Sequence, residues 1–283
     1  MIEGSCLCGE VRWGIDAPPA SLSHCHCSMC RKAHGAAFAT YASAPSSQFH
    51  WLAGEGLIER FGSSPGFSRS FCTRCGSVVP AQGTEGEHEV DLPAGCFDDD
   101  PVTRPSRHIF VASKAPWHPI EDDLPRHDEW TPDFDGPIVA EPARAGLKPG
   151  VLRGSCLCKA VEYEVVEAFK GVHNCHCSRC RKARAAAHAT NGFTSIGGVR
   201  IVRGETGIAT FKPPGARFFT HAFCRICGSG MPRLDSERGI AIVPFGSLDD
   251  DPGRGADDHI YVAWKAPWYD IPGGLPRYEE RPN

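Results

Sequence analysis

The residues in this sequence best suited to chemistry are its cysteines. There are 15, and all but Cys96 fall into one pattern that occurs twice. Each occurrence reads C-x-C, then C-x-C-x-x-C, then C-x-x-C. In the first half these are Cys6 and Cys8, then Cys25, Cys27 and Cys30, then Cys72 and Cys75. In the second they are Cys156 and Cys158, then Cys175, Cys177 and Cys180, then Cys224 and Cys227. Thiolates one or two residues apart chelate a single ion because the short loop between them folds back, and zinc accepts four tetrahedral sulfur ligands readily. Seven thiolates make one closed tetrahedron and leave three over. The natural division joins Cys6, Cys8, Cys72 and Cys75, and likewise Cys156, Cys158, Cys224 and Cys227, as two structural zinc sites.

The middle trios, Cys25, Cys27, Cys30 and Cys175, Cys177, Cys180, are then three-ligand sites. Three protein ligands plus an exchangeable fourth position is the pattern of catalytic zinc. About four zinc ions per chain are expected, two structural and two in open sites. Alternatives remain at the trios: a fourth residue closes each site, or the trio is simply reduced thiol. His26 and His176 lie within the trios, although a residue between two chelating cysteines usually points away. Full metallation adds roughly six negative charges to the formal count. Cations stand beside the ligands at Arg31, Lys32, Arg74, Arg181, Lys182 and Arg225, either neutralising thiolate charge or gripping carboxylates of a ligand.

These ligands must be positioned by elements that are themselves repeated. GSCLCGEV from Gly4 returns as GSCLCKAV from Gly154, and CHCSMCRKA from Cys25 as CHCSRCRKA from Cys175. FCTRCGS from Phe71 returns as FCRICGS from Phe223, and HIFVASKAPW from His108 as HIYVAWKAPW from His259. The offsets drift by only two residues, so the chain is a tandem duplication rather than a solenoid of short units. It divides into 1–130, a proline-rich linker over 131–150, and 151–283. Short runs rich in β-branched and aromatic residues, such as EVRWGI, GIAIVPF and HIFVA, predict strands. Helix is expected only over Arg31–Ala39 and Arg181–Ala189. The fold class is mainly β, two β-rich zinc domains with little helix.

A formal charge of −4 in 283 residues offers no broad basic surface, which disfavours non-specific nucleic-acid binding. No apolar run approaches the ~18 residues of a membrane helix, and MIEGSCLCGE lacks the layout of a secretory signal. A cytoplasmic location follows as an expectation, and in that reducing compartment cysteines serve as metal ligands or reactive thiols rather than disulfides.

The motifs GSCLCG, CHCxxCRK, FCxxCGS and the later H-x-x-x-x-x-K-A-P-W resemble those of the glutathione-dependent formaldehyde-activating (GFA) family, which shares its domain with centromere protein V. The resemblance covers both halves. It implies a structural four-cysteine zinc and a second zinc on the trio where glutathione binds. It also implies formation of S-(hydroxymethyl)glutathione from formaldehyde and glutathione, formally a carbon–sulfur lyase written in reverse. The alternative is a non-catalytic zinc-stabilised binding or scaffold module, or a stoichiometric thiol or metal sensor.

Substrate-binding candidates in the first half are Arg31, Lys32, Arg69, Lys114 and Trp117, with Trp117 and Trp268 equally readable as core plugs. His108 and His259 read as hydrogen-bonded strand-end histidines. The DDDP runs at Asp98 and Asp249 read as turns. The halves differ: RKAHGAAF becomes RKARAAAH, and Arg69 is matched by His221. Both halves are expected to fold around metal, while substrate binding in the second is altered or lost. Oligomeric state and the identities of thiol and aldehyde are open at this level.

Overall fold

The computed structural model describes residues 1–82, 88–132, 134, 136, 138 and 150–282. The linker 131–150 lies largely outside these residues. The chain is mainly β, with two short α-helices among the described residues.

Each repeat builds the same frame. Ile2–Ser5, Arg12–Ile15 and Phe49–Ala53 form a three-stranded antiparallel sheet, and Leu152–Ser155, Glu162–Val165 and Val199–Arg203 its copy. The strand Glu162–Val165 alternates half-buried Glu162 and Glu164 with buried Tyr163 and Val165, the period of two that a half-covered strand requires. A five-stranded sheet carries Ser21–Cys25 between Ala39–Pro45, antiparallel to it, and Pro105–Ile109, parallel to it. Its copy places Gly171–Cys175 between Ala189–Ser195 and Asp258–Ile260. Cys25 and Cys175 therefore end central strands, each with paired neighbours on both sides.

The helices begin earlier than the alanine-rich runs suggest. Helix α1 spans Ser28–His34 and α2 spans Ser178–Arg184. Cys27 caps α1, its sulfur accepting from the Cys30 amide, and Gly35 ends the helix at φ +60. The alanines that follow form a turn, and Ala39 already belongs to the next strand. Thiol capping thus moves the start of the helix onto the metal-binding motif itself.

A hairpin of Ile58–Ser64 with Phe67–Cys72 carries the first C-x-x-C turn. In the second repeat the hairpin shortens to Ile208–Phe211 with His221–Cys224. Pro213 and Pro214 stop the first strand, and residues 212–220 leave the sheet as a loop.

The two repeats share one continuous core. Trp13, Leu22 and Phe97 of the first repeat and Tyr163, Phe245 and Trp268 of the second belong to the same buried cluster. A Cβ added at Gly95 would lie 2.1 Å from the Ala186 nitrogen, and one at Gly246 2.4 Å from the Ala36 nitrogen. Each repeat's 3-10 turn thus packs against backbone just after the other's helix, too closely for any side chain. Trp268 Nε1 donates to the Ala94 carbonyl at 3.1 Å, satisfying a buried donor across the seam.

Candidate metal centres and their pockets

The outer cysteines of each repeat converge. The sulfurs of Cys6, Cys8, Cys72 and Cys75 all lie within 4.8 Å of one another, as do those of Cys156, Cys158, Cys224 and Cys227. Tight turns after two strands bring them together: Gly9 and Gly76 take left-handed φ, and Ser77 Oγ accepts from the Leu7 amide at 2.9 Å, stitching one turn to the other. Four sulfurs around zinc with bonds of ~2.3 Å stand about 3.8 Å apart. Cys8 and Cys72 are 3.8 Å apart, and Cys6 and Cys8 3.3 Å, so the donor set fits a tetrahedral ion. The protons are unevenly shared. Hydrogen bonds from Cys6 and Cys72 hold the Cys75 thiol well below its ordinary value, while Cys6 pushes Cys72 well above.

The trios form at the start of the helices. Cys25, Cys27 and Cys30 group within the same 4.8 Å limit, as do Cys175, Cys177 and Cys180. Among the described residues no fourth histidine, cysteine or carboxylate joins either trio. His26 and His176 turn away from the sulfurs into the seam. His26 Nε2 meets His108 Nδ1 at 2.8 Å, and His108 Nε2 meets Asp122 at 2.9 Å; His176 meets His259 likewise at 2.8 Å. In the first trio a hydrogen bond from Cys25 holds Cys30 well below its ordinary value. In the second, the bond from Cys175 brings Cys177 down to about 3.

A polar chain fixes the surroundings of Cys30. Arg69 donates from Nη2 to the Cys30 sulfur at 3.4 Å and from Nη1 to the Tyr41 hydroxyl at 3.2 Å. His34 sits 2.7 Å from the Tyr41 hydroxyl through Nε2 and 2.7 Å from the Arg184 carbonyl through Nδ1. A carbonyl only accepts, so Nδ1 carries the proton and Nε2 accepts from Tyr41. Burial drives the His34 pKa down to about 4 and the Tyr41 phenol well above its usual value, so both are neutral near pH 7, as this arrangement needs.

The second repeat exchanges the two ends of that chain. Arg184 stands where the first repeat has His34, and His221 where it has Arg69. Arg184 Nη1 donates to His221 Nε2 at 3.1 Å, and His221 Nδ1 donates to the Cys75 carbonyl at 2.9 Å. Arg184 and Cys180 line the same cavity, so both trios keep a neighbouring guanidinium, delivered from the hairpin in one repeat and from the helix in the other.

Each trio opens onto a cavity. The first, of 370 Å³, has Cys25, Cys27 and Cys30 in its lining, with Arg69, Phe110 and Trp130. The second, of 570 Å³, has Asn191 where the first has Tyr41 and adds Arg217, Phe218 and Arg233.

The other candidates are engaged by contacts of their own. Lys32 lines the first cavity, but its ammonium donates to the Ser155 carbonyl at 3.0 Å and pairs with Asp249 at 2.7 Å. Lys182 does the same in mirror image, bonding Ser5 and Asp98. Each helix therefore pins the strand that leads into the other repeat's tetrad, and the DDDP turns receive these lysines. Arg31 is buried and donates to the Ser113 carbonyl at 3.2 Å. Trp117 packs edge-on against Phe245 at 5.3 Å in the shared core, and neither it nor Lys114 lines the first cavity. Arg74 pairs with Glu10 beside the first tetrad. Cys96 is buried, its thiol toward the Val78 carbonyl. Sequence reasoning missed Tyr41 and His34; the complementary exchange of histidine and arginine between the repeats is the signal that points to them.

Comparison with known proteins agrees with the duplicated architecture. The family model described as "Glutathione-dependent formaldehyde-activating enzyme" matches residues 1–113 and again 151–264. A Halomonas elongata protein with the curated name "Putative glutathione-dependent formaldehyde-activating enzyme" is 31% identical over 160 residues, covering 53% of this chain and 99% of its own. A crystal structure of a Rhodobacter sphaeroides protein aligns at 28% identity over 34% of this chain and 86% of its own, with a TM-score of 0.29. With both repeats matched, the chain is a tandem member of the glutathione-dependent formaldehyde-activating enzyme family.

Proposed function

We propose that the protein is a zinc-dependent carbon–sulfur lyase working in the adduct-forming direction, joining a small thiol such as glutathione to a small aldehyde such as formaldehyde. The units of this reading are 1–130 and 151–283, each with a structural zinc on its tetrad and a second zinc on its trio. The single observation that carries it is the incomplete trio of Cys25, Cys27 and Cys30 in the wall of a 370 Å³ cavity. Membership of the family supports the substrate pair.

When bound at the trio, zinc supplies positive charge that lowers the pKa of an entering thiol from its usual ~8.5. Cys25, Cys27 and Cys30, which line the cavity, would hold the ion. Arg69 fixes the Cys30 sulfur and offsets part of its charge, with Tyr41 and His34 keeping the guanidinium aimed. Phe110 and Trp130, edge-on at 4.8 Å, give the cavity an apolar wall beside the trio. The thiol gives its proton to solvent water, its sulfur bonds to the aldehyde carbon, the carbonyl electron pair moves to oxygen, and that oxygen takes one proton back from solvent water, so thiol and aldehyde together account for the adduct. Most of the gain is approximation of thiol and aldehyde, since three electron-rich thiolates weaken the ion as a Lewis acid.

Exchange spectroscopy by NMR on glutathione with formaldehyde tests this. Wild type is expected to raise the exchange rate, and Cys27→Ser combined with Cys177→Ser, which breaks both trios, to return it toward the uncatalysed value. Identical rates with both proteins overturn the proposal.

A further inference from the structure

Three positions pair a left-handed glycine in one repeat with a left-handed non-glycine residue in the other: Gly9 with Lys159, Gly35 with Ala185, and Gly253 with Val102. The left-handed region is strained for a residue with a Cβ, and such strain collects where function holds it in place. Of the three substituted residues only Lys159 carries a charge. It sits at φ +59 directly after Cys158, in the C-x-C turn of the second repeat's tetrad. Gly9 occupies the mirror position at φ +77, where an added Cβ would meet nothing within 4 Å.

Lys159 borders a surface cleft of its own repeat with Glu162 and Glu164 but does not line that repeat's trio cavity. Together with Leu157 it lines the cavity of the first repeat, the one holding Cys25, Cys27 and Cys30. The other cations of that cavity are committed: Lys32 to Asp249 and Ser155, Arg69 to Cys30 and Tyr41. Lys159 is exposed, and among the described residues its hydrogen bonds are made by the backbone, the carbonyl accepting from Arg203, rather than by the ammonium. Asp91 also belongs to the lining and works against an anion, so a ligand with carboxylates needs an uncommitted cation there. The second cavity has Arg179, Arg217 and Arg233 of its own and includes no residue of the first repeat's C-x-C turn.

We propose that Lys159 is the carboxylate-binding residue of the first repeat's pocket, contributed across the seam by the second repeat. The site is thus built by both halves of the chain, and the second tetrad organises the turn that presents Lys159 to the first trio. This rests on the proposed function in one respect, that the ligand is a thiol bearing carboxylates, and it gives a role to a lysine that stands where the mirror repeat has glycine.

The test uses the zinc-loaded full chain and glutathione, measured by titration calorimetry. It is run on the wild type and in a Cys177→Ser background that leaves only the first trio complete. Lys159→Gly and Lys159→Gln are expected to weaken binding about three- to tenfold and to flatten its dependence on salt, while Lys159→Arg retains it. Because Lys159→Gly relieves backbone strain, its melting temperature is expected to rise while its affinity falls, a combination that a purely structural role does not produce. Gly9→Lys is the mirror control, expected to lower the melting temperature and leave affinity unchanged. Wild-type affinity in both Lys159→Gly and Lys159→Gln overturns the inference alone; if their melting temperature also falls, Lys159 belongs to the tetrad's charge balance instead. Glutathione that fails to bind even the wild type overturns the proposed function and this inference together.

Discussion

Arg69 reaches across from its hairpin to place a guanidinium nitrogen 3.4 Å from the sulfur of Cys30, the trio member that helix α1 carries. This contact joins the two elements that frame the first cavity. It also ties the trio to the opposite repeat, because Arg69 is aimed by Tyr41, Tyr41 by His34, and His34 by the Arg184 carbonyl. Removing a partner that orients a metal ligand typically costs 10–100-fold in affinity or activity. Arg69→Gln is therefore expected to lower kcat/KM by about that factor and to make the first trio's metal easier to chelate, with the fold retained by circular dichroism. Unchanged kinetics and metal retention contradict this role.

The shared core couples the stabilities of the repeats. Because Trp13, Phe97, Tyr163 and Trp268 belong to one buried cluster, neither repeat can open without exposing the other. Cys72→Ser, which breaks only the first tetrad, is expected to lower the melting temperature of the whole chain while leaving a single calorimetric transition. Two resolved transitions, one unshifted, would show that the halves unfold independently.

Lys32 and Asp249 form the matching connection at the level of charge. The lysine side chain is 11% exposed and also donates to Ser155. Truncating one partner of a mostly buried pair leaves the other poorly solvated, so Lys32→Ala is expected to cost about 2–4 kcal/mol. Lys32→Met, of similar length, restores packing but not the charge and recovers only part. Urea denaturation measures both, and a loss below about 0.5 kcal/mol, the scale of an exposed pair, contradicts the assignment.

The seam also holds an unusual run of buried imidazoles. Burial drives the pKa of His24, His118 and His176 to about 3, and that of His188 well below its ordinary value, with His176 and His118 adding repulsion. A folded-state pKa below the unfolded one means that the unfolded chain binds more protons as the medium acidifies. The stability these groups preserve is complete above pH ~6.5 and falls as pH drops toward ~3, by up to about 1.4 kcal/mol per imidazole per pH unit. His188→Phe installs the residue that the first repeat has at Phe38 and removes one such group, whose Nε2 has no partner among the described residues. It is expected to raise stability at pH 5.5 more than at pH 7.5 and to reduce proton uptake on unfolding by about one. An unchanged pH slope contradicts this.

Much of the fold is written locally in the chain. C-x-C and C-x-x-C turns bring sulfurs together whatever surrounds them, the block repeats declare the duplication, and EVRWGI and GIAIVPF supply strands, whereas HIFVA leaves its strand at Ile109, where Phe110 turns left-handed into a 3-10 turn. The helix was legible in kind but displaced in position, because capping of α1 by the Cys27 sulfur is not a standard helix-start signal. The seam was illegible for a different reason. Lys32 and Ser155, or His34 and Arg184, lie more than a hundred residues apart, and no periodicity links them. Lys32 beside a trio reads as a ligand-binding cation until the structure shows it held by Asp249. Only comparison of one repeat with the other, histidine for arginine and arginine for histidine, carries a trace of that long-range geometry.

X-ray absorption at the zinc edge examines the four-plus-three division of sulfurs most directly. Two closed tetrads and two trios give an average of about 3.5 sulfur ligands per zinc, and saturating glutathione should bring that average to about 4 as its sulfur enters each trio, or partway if only the first repeat binds. An average of 4 before any thiol is added, or a value of 3.5 that glutathione leaves unchanged, would contradict an open, thiol-accepting trio.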